Sequence, residues 1–126
     1  MPTDNVDVGS RFVGRSKQLE DPFVKTLKIK VNTLKRNMKD FEFAKKEVIC
    51  ETARLESIKR DNPERVNQQE NVIGEAQMMV PHSENRVRAA LKDLKEFLNE
   101  GNLNDKDEEL VRSAYQALEE GEHVLS

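Results

Sequence analysis

Between Phe23 and Arg60 the chain contains neither Gly nor Pro, and its apolar residues fall three and four positions apart. With Val24 at heptad position a, every d position is apolar: Leu27, Leu34, Phe41, Val48 and Leu55. The a positions read Val24, Val31 and Met38, then Lys45, Thr52 and Lys59. An apolar stripe sustained at this spacing predicts one long helix in a coiled-coil-like seam. Asp21 can accept hydrogen bonds from the first free backbone N–H groups, and Pro22 loses nothing at the first helical position.

Asp61-Asn62-Pro63 repeats the start signal, with Asn62 as the cap and Glu64 near the positive end of the helix dipole. The second helix is expected over 63–98. Its a series is Val66, Ile73, Val80, Val87 and Leu94, and its d series is Gln69, Ala76, Ser83, Ala90 and Phe97. Pro81 falls inside this pattern and the period survives across it, so a kink near Pro81 is expected and not a break. Gly101 marks the next turn. Asn104 can cap a third helix over 105–125, with Asp105, Asp107, Glu108 and Glu109 in the first turn, where acids are favoured. Leu110, Ala114, Ala117, Leu118 and Val124 form its apolar stripe, with Tyr115 flanking.

Lengths then constrain the architecture. At a rise of 1.5 Å per residue the first helix would span roughly 55–60 Å and the third only about 30 Å. The turn at Asn62-Pro63 is too short for anything but antiparallel packing. The fold class is therefore all-α: an elongated, antiparallel three-helix bundle, three helices thick at one end and two at the other. Helix 2 has a wide stripe where three should meet, through Val87, Leu91, Leu94 and Leu98. Lys45, Thr52 and Gln69 enter the seam where only two should meet, and Lys stems can lie across a narrow seam. Residues 21–126 make up the bundle. Residues 1–20 mix glycines, serines and scattered charges without a period and read as a disordered tail.

Composition supports a helical rod, with 36% charged residues, 5% aromatic and no Trp. The net charge of −3 gives no reason to expect a nucleic-acid partner. The basic residues of the first helix are broken by Asp40, Glu42 and Glu47 and lack an aromatic platform. The longest apolar run is Met78-Met79-Val80, far short of a membrane span. Cys50 is the single cysteine, so no intrachain disulfide can form. A reducing, cytoplasmic location is expected.

Residues able to carry chemistry are few. The five glycines form no phosphate-binding loop, and His82 and His123 have no His or Cys at ligand spacing. Cys50 lies at heptad f with nothing beside it to activate a thiol. Acids alternate with Lys and Arg on helix faces, where a rod offers no pocket to tune them. No enzyme activity, cofactor or metal is expected.

Three features exceed what a bundle requires. Phe43 and Ile49 fall off the seam. Met78 and Met79 precede Pro81, as adaptable contact residues or as filler for the gap at a kink. Gly74 and Pro81 weaken helix 2 within one stretch. Charge is also partitioned: 22–61 carry 11 Lys/Arg against 6 Asp/Glu, and 99–126 carry 2 against 8. Two readings stand: neutralisation between neighbouring helices 1 and 3, or a basic face kept for an acidic partner.

Leu27-Lys-Ile-Lys30, Leu34-Lys-Arg36, Glu75-Ala-Gln-Met-Met-Val-Pro81 and Arg86-Val-Arg-Ala-Ala-Leu-Lys-Asp-Leu94 together resemble the tubulin-binding cofactor A, or tubulin-specific chaperone A, family. The resemblance runs from residue 23 to about 120, and Met-Met-aliphatic-Pro followed by a basic residue and Ala-Ala is its most specific part. It implies a rod-like chaperone that holds β-tubulin after release from the chaperonin and before αβ-dimer assembly, without ATP hydrolysis. It also implies contact with other tubulin-folding cofactors, a cytoskeletal association and a monomer or homodimer. The partner-binding candidates that it carries over are Lys28, Lys30, Lys35, Arg36, Met78, Met79 and Arg86; Pro81 is assigned to shape. The chain departs from the family in its longer N-terminal segment and in Ala44, where members carry a nearby Tyr. The alternative from the residues alone is a generic helical adaptor or scaffold that binds another coiled-coil partner.

Overall fold

A computed structural model describes residues 21–101, 103 and 108–126. Three helices follow in order: α1 (Pro22–Asp61), α2 (Val66–Glu100) and α3 (Glu108–Leu125), with a short 3-10 turn at Pro63–Arg65 before α2. The expected 1–20 tail, the Asn104 cap and the acids Asp105 and Asp107 lie outside the described residues.

The start of α1 follows from its cap. Oδ1 of Asp21 accepts a hydrogen bond from the Phe23 backbone N–H at 2.9 Å, with Pro22 in the first turn. Asn62 does not act as the side-chain cap expected of it. Its backbone N–H instead donates to the Ile58 carbonyl and closes α1, and its carbonyl accepts from the Arg65 N–H, which turns the chain into α2. α2 runs unbroken through Pro81. Gln77 and Pro81 are both exposed, so the carbonyl left without an N–H donor lies on the solvent side.

Side-chain pairs fix the antiparallel order. Early in α1, Lys30 meets Asp93 late in α2, and Glu51 late in α1 meets Gln69 early in α2. α3 lies against the first half of α1 and the second half of α2. Gly121 makes the close approach: a Cβ there would stand 3.0 Å from Leu91 Cδ1 and 3.4 Å from Leu34 Cδ1. Lys95 Nζ also holds Glu122 at 2.9 Å. At 1.5 Å per residue α1 is about 60 Å long and α3 about 27 Å, so α3 covers only half of the rod.

The core is confined to that half. Leu27, Leu34, Val87 and Leu94 are fully buried, and Phe41, Leu98 and Leu118 are buried around them. Phe23 stacks on Phe97 at 4.6 Å between centroids and closes the end near Gly101, where any Cβ would run into the Phe23 ring. Burying a large aliphatic side chain contributes about 1.5–3 kcal/mol, so this half supplies most of the stabilisation. Beyond Phe41 in α1 and before Val87 in α2 the buried residues are Ala44, Glu51, Gln69 and Ser83, all small or polar. Two helices alone leave Val48, Leu55, Ile58 and Ile73 half-buried.

The seam of α1 departs from the expected register in this thinner half. Thr52 and Lys59 are exposed and Lys45 is half-buried, while Ala44 and Glu51 are buried in their place. The reason is the length of α3. Met38 borders a hollow with Glu119, Glu120 and Val124, so the a positions face α3. Past its end they face water, and the buried stripe narrows onto the side that touches α2. Lys45 still lays its stem inward, with Nζ 4.4 Å from the Phe41 ring centroid.

Candidate partner-binding surface

Six basic residues, Lys25, Lys28, Lys30, Lys35, Arg36 and Lys39, precede the first acid of α1, Asp40. Helical periodicity sends one of them inward. Lys30 is half-buried, with Nζ 2.7 Å from Asp93 Oδ2 and 5.4 Å from the Phe97 centroid, so its charge is engaged in joining α1 to α2. The other five are exposed. Among the described residues Lys25, Lys35, Arg36 and Lys39 form no ion pair. Ile29, Arg36 and Phe43 follow one another at seven-residue steps along the outward side, and Ile29 and Phe43 are 55% and 63% exposed.

Met78 and Met79 are 62% and 45% exposed, which overturns the reading that one of them fills a gap at Pro81. α2 passes Pro81 as a continuous helix, and both thioethers stand outside it. Being adjacent, the two point in different directions. Met79 joins a groove of about 240 Å³ between α1 and α2, lined by Asp40, Phe43, Ala44 and Glu47 on one side and Ala76, Met79, Ser83 and Arg86 on the other. Met78 does not line it.

The candidates thus fall into separate places. Met79 and Arg86 come together in the groove. Lys35 borders a more open hollow with Met38, Lys39, Phe43, Lys46 and Glu120, on the side towards α3. Phe43 is the ridge shared by the two hollows. Lys28 and Arg36 stand on the exposed surface of α1. The carry-over from the family left out Phe43, Asp40 and Glu47. The off-seam position of Phe43 was a visible signal, but its pairing with Met79 depends on the register of α1 against α2. Among the described residues no group of three His, Cys, Asp or Glu is placed to hold a metal ion, and no helix is long and apolar enough to cross a membrane.

Residues 22–118, which include all three helices up to the last turns of α3, match the family profile described as Tubulin binding cofactor A. The chain belongs to the tubulin binding cofactor A family. It is 41% identical over 87 residues to Tubulin-folding cofactor A of Arabidopsis thaliana, covering 68% of this chain and 75% of that one. It is 30% identical over 93 residues to Tubulin-specific chaperone A of Homo sapiens, covering 71% and 86%. The crystal structure of tubulin-binding cofactor A from Leishmania major superposes with a TM-score of 0.80 at 47% identity, covering 85% of this chain and all of that one. Tubulin folding cofactor A from Arabidopsis thaliana gives 0.70 at 35% identity, with 80% and 96% covered. The three-helix rod is therefore the tubulin binding cofactor A fold.

Proposed function

We propose that this chain is a tubulin-folding chaperone that captures β-tubulin on a preformed helical face and holds it before αβ-dimer assembly, without hydrolysing ATP. Membership in the cofactor A family supports the tubulin role. The observation that carries the mode of capture is the outward basic surface of α1, where Lys25, Lys35, Arg36 and Lys39 have no ion-pair partner among the described residues and flank exposed Ile29 and Phe43. Charges of one sign attract an acidic surface during encounter, and the apolar groups between them supply burial once contact is made. Capture needs no energy source, because any ligand that binds one state of β-tubulin stabilises that state by mass action. A passive holder of this kind is non-enzymatic. It would work in the cytoplasm alongside the cytoskeleton and pass its cargo to other tubulin-folding cofactors.

The test is size-exclusion chromatography of the purified chain mixed with β-tubulin released from the chaperonin, in the absence of nucleotide. Co-elution is expected. The triple variant Lys28→Glu, Lys35→Glu, Arg36→Glu should lose the complex while its circular dichroism stays helical. A complex that forms only with ATP, or no complex at all, would refute the capture reading; undiminished binding by the variant would remove the basic face from it.

A further inference from the structure

The groove between Phe43 and Met79 has a floor and a rim of different character. Ala44, Ala76 and Ser83 are small, so α1 and α2 leave a hollow there that Phe43 and Met79 wall on either side. A cavity of roughly 150 Å³ accepts a benzene ring, so about 240 Å³ is room for one large apolar side chain. The rim is charged and asymmetric: Asp40 and Glu47 stand on the α1 side and Arg86 on the α2 side. None of the three forms an ion pair among the described residues. Three charges around an apolar hollow are thus left for something outside the bundle.

The chain's own N-terminal segment is a poor match. Its aromatic residue, Phe12, lies between Arg11 and Arg15 and has the right chemistry. From Asp21 a fully extended chain at 3.3–3.6 Å per residue carries Phe12 at most about 32 Å, whereas Phe43 lies about 33 Å along α1 from the same point. The groove is displaced sideways as well. Residues 1–10 could reach it, but they carry Asp4 and Asp7 and no Lys or Arg, which sets acid against Asp40 and Glu47.

We propose that the groove is a socket for one large apolar side chain, aromatic or leucine, on a helical segment of a protein partner that places a Lys or Arg beside Asp40 and Glu47. The inference rests on the reading of the chain as a capture protein and states which chemistry the captured segment presents. It also gives that segment a direction. The first half of α1 is basic up to Lys39, and the acids of the socket begin at Asp40. A bound segment therefore sets its acidic end along Lys25–Lys39 and its anchor, with the basic neighbour, in the groove.

Binding of labelled amphipathic helical peptides to the full chain, followed by fluorescence anisotropy, tests this without β-tubulin. Three peptides are compared: one with a single Phe flanked by Lys, one with the same Phe flanked by Glu, and one with Ala replacing the Phe in the Lys-flanked peptide. The first should bind about ten-fold tighter than either other, as expected for a central anchor. Asp40→Lys with Glu47→Lys should turn the preference towards the Glu-flanked peptide. Phe43→Ala removes a wall and Met79→Glu places a charge in the hollow, and each should abolish binding with an unchanged melting temperature, because both side chains are exposed. Deletion of residues 1–20 should leave affinity within about two-fold. Equal affinity for all three peptides, or indifference to the variants, would overturn the socket while leaving capture of β-tubulin standing. A ten-fold gain on deletion would assign the groove to the tail and overturn the choice of partner. Failure of β-tubulin to co-elute with the wild-type chain would refute the capture reading and leave the peptide result unaffected.

Discussion

Nε2 of Gln69 donates to Oε1 of Glu51 at 2.8 Å and to the Glu51 backbone carbonyl at 2.9 Å. Both residues are buried in the half of the rod that has no large apolar core, so one amide satisfies a carboxylate and a carbonyl across the α1–α2 seam. Arg54, one turn along, supplies a further donor at 3.2 Å. A hydrogen bond to a charged group contributes about 1.5–3 kcal/mol. Gln69→Ala should therefore lower the urea midpoint by that equivalent. Glu51→Leu with Gln69→Leu should restore it, since an apolar pair needs no partners. An unchanged midpoint for Gln69→Ala would mean that the clasp adds nothing to the fold.

Lys30 and Lys35 are both lysines in the basic run, yet they should behave differently. Lys30→Met removes the contact with Asp93 and the position over Phe97, and is expected to lower stability by about 0.2–1 kcal/mol, the usual worth of a partly exposed pair. Lys35→Met should leave the melting curve unmoved and act on β-tubulin capture alone. Paired melting and co-elution measurements on both variants separate the two roles. Equal effects on stability would contradict the placement of Lys30 between the helices.

Exposed methionines and buried leucines give the sharpest contrast in stability. Leu94 is fully buried at the three-helix end, and Leu94→Ala should cost about 2–5 kcal/mol through lost contacts and the cavity left behind. Met78→Ala should stay within about 0.5 kcal/mol, as is usual at surface positions. Denaturant titration of both decides it. A loss above about 1 kcal/mol for Met78→Ala would show that the side chain packs after all.

Pro81 sits inside α2 without ending it, so the helix tolerates a missing backbone donor and a crowded ring. Pro81→Ala should raise stability, by up to about 3 kcal/mol on the scale of interior proline substitutions. If Pro81 shapes α2 for its partner, the same variant should capture β-tubulin less well despite melting higher. A drop in melting temperature would show that the proline is built into the native packing.

Most of the architecture was legible because it is set by local pattern. The spacing of Leu27, Val31, Leu34, Met38 and Phe41 defines a helix face whatever lies opposite, and Asp21-Pro22 and Gly101 carry their start and stop chemistry within a few residues. The length of α3 against α1 also foretold a rod with a thick and a thin half. The heptad register failed at Thr52 and Lys59 because a strict seven-residue count assumes the same neighbours throughout. Of the candidate residues, Met79 and Arg86 share a hollow, and a one-dimensional pattern cannot show that Phe43, Asp40 and Glu47 complete it.

By itself, then, the sequence determined that α1 and α2 are long amphipathic helices and that they pair antiparallel. These follow from short-range periodicity and from loops too short for any other path. Tertiary packing alone decided that Lys30 meets Asp93, that Ala44 and Glu51 are buried where the heptad count placed Thr52, and that a hollow opens between Phe43 and Met79. Each of these depends on the register and rotation of one helix against another, which many distant contacts fix together.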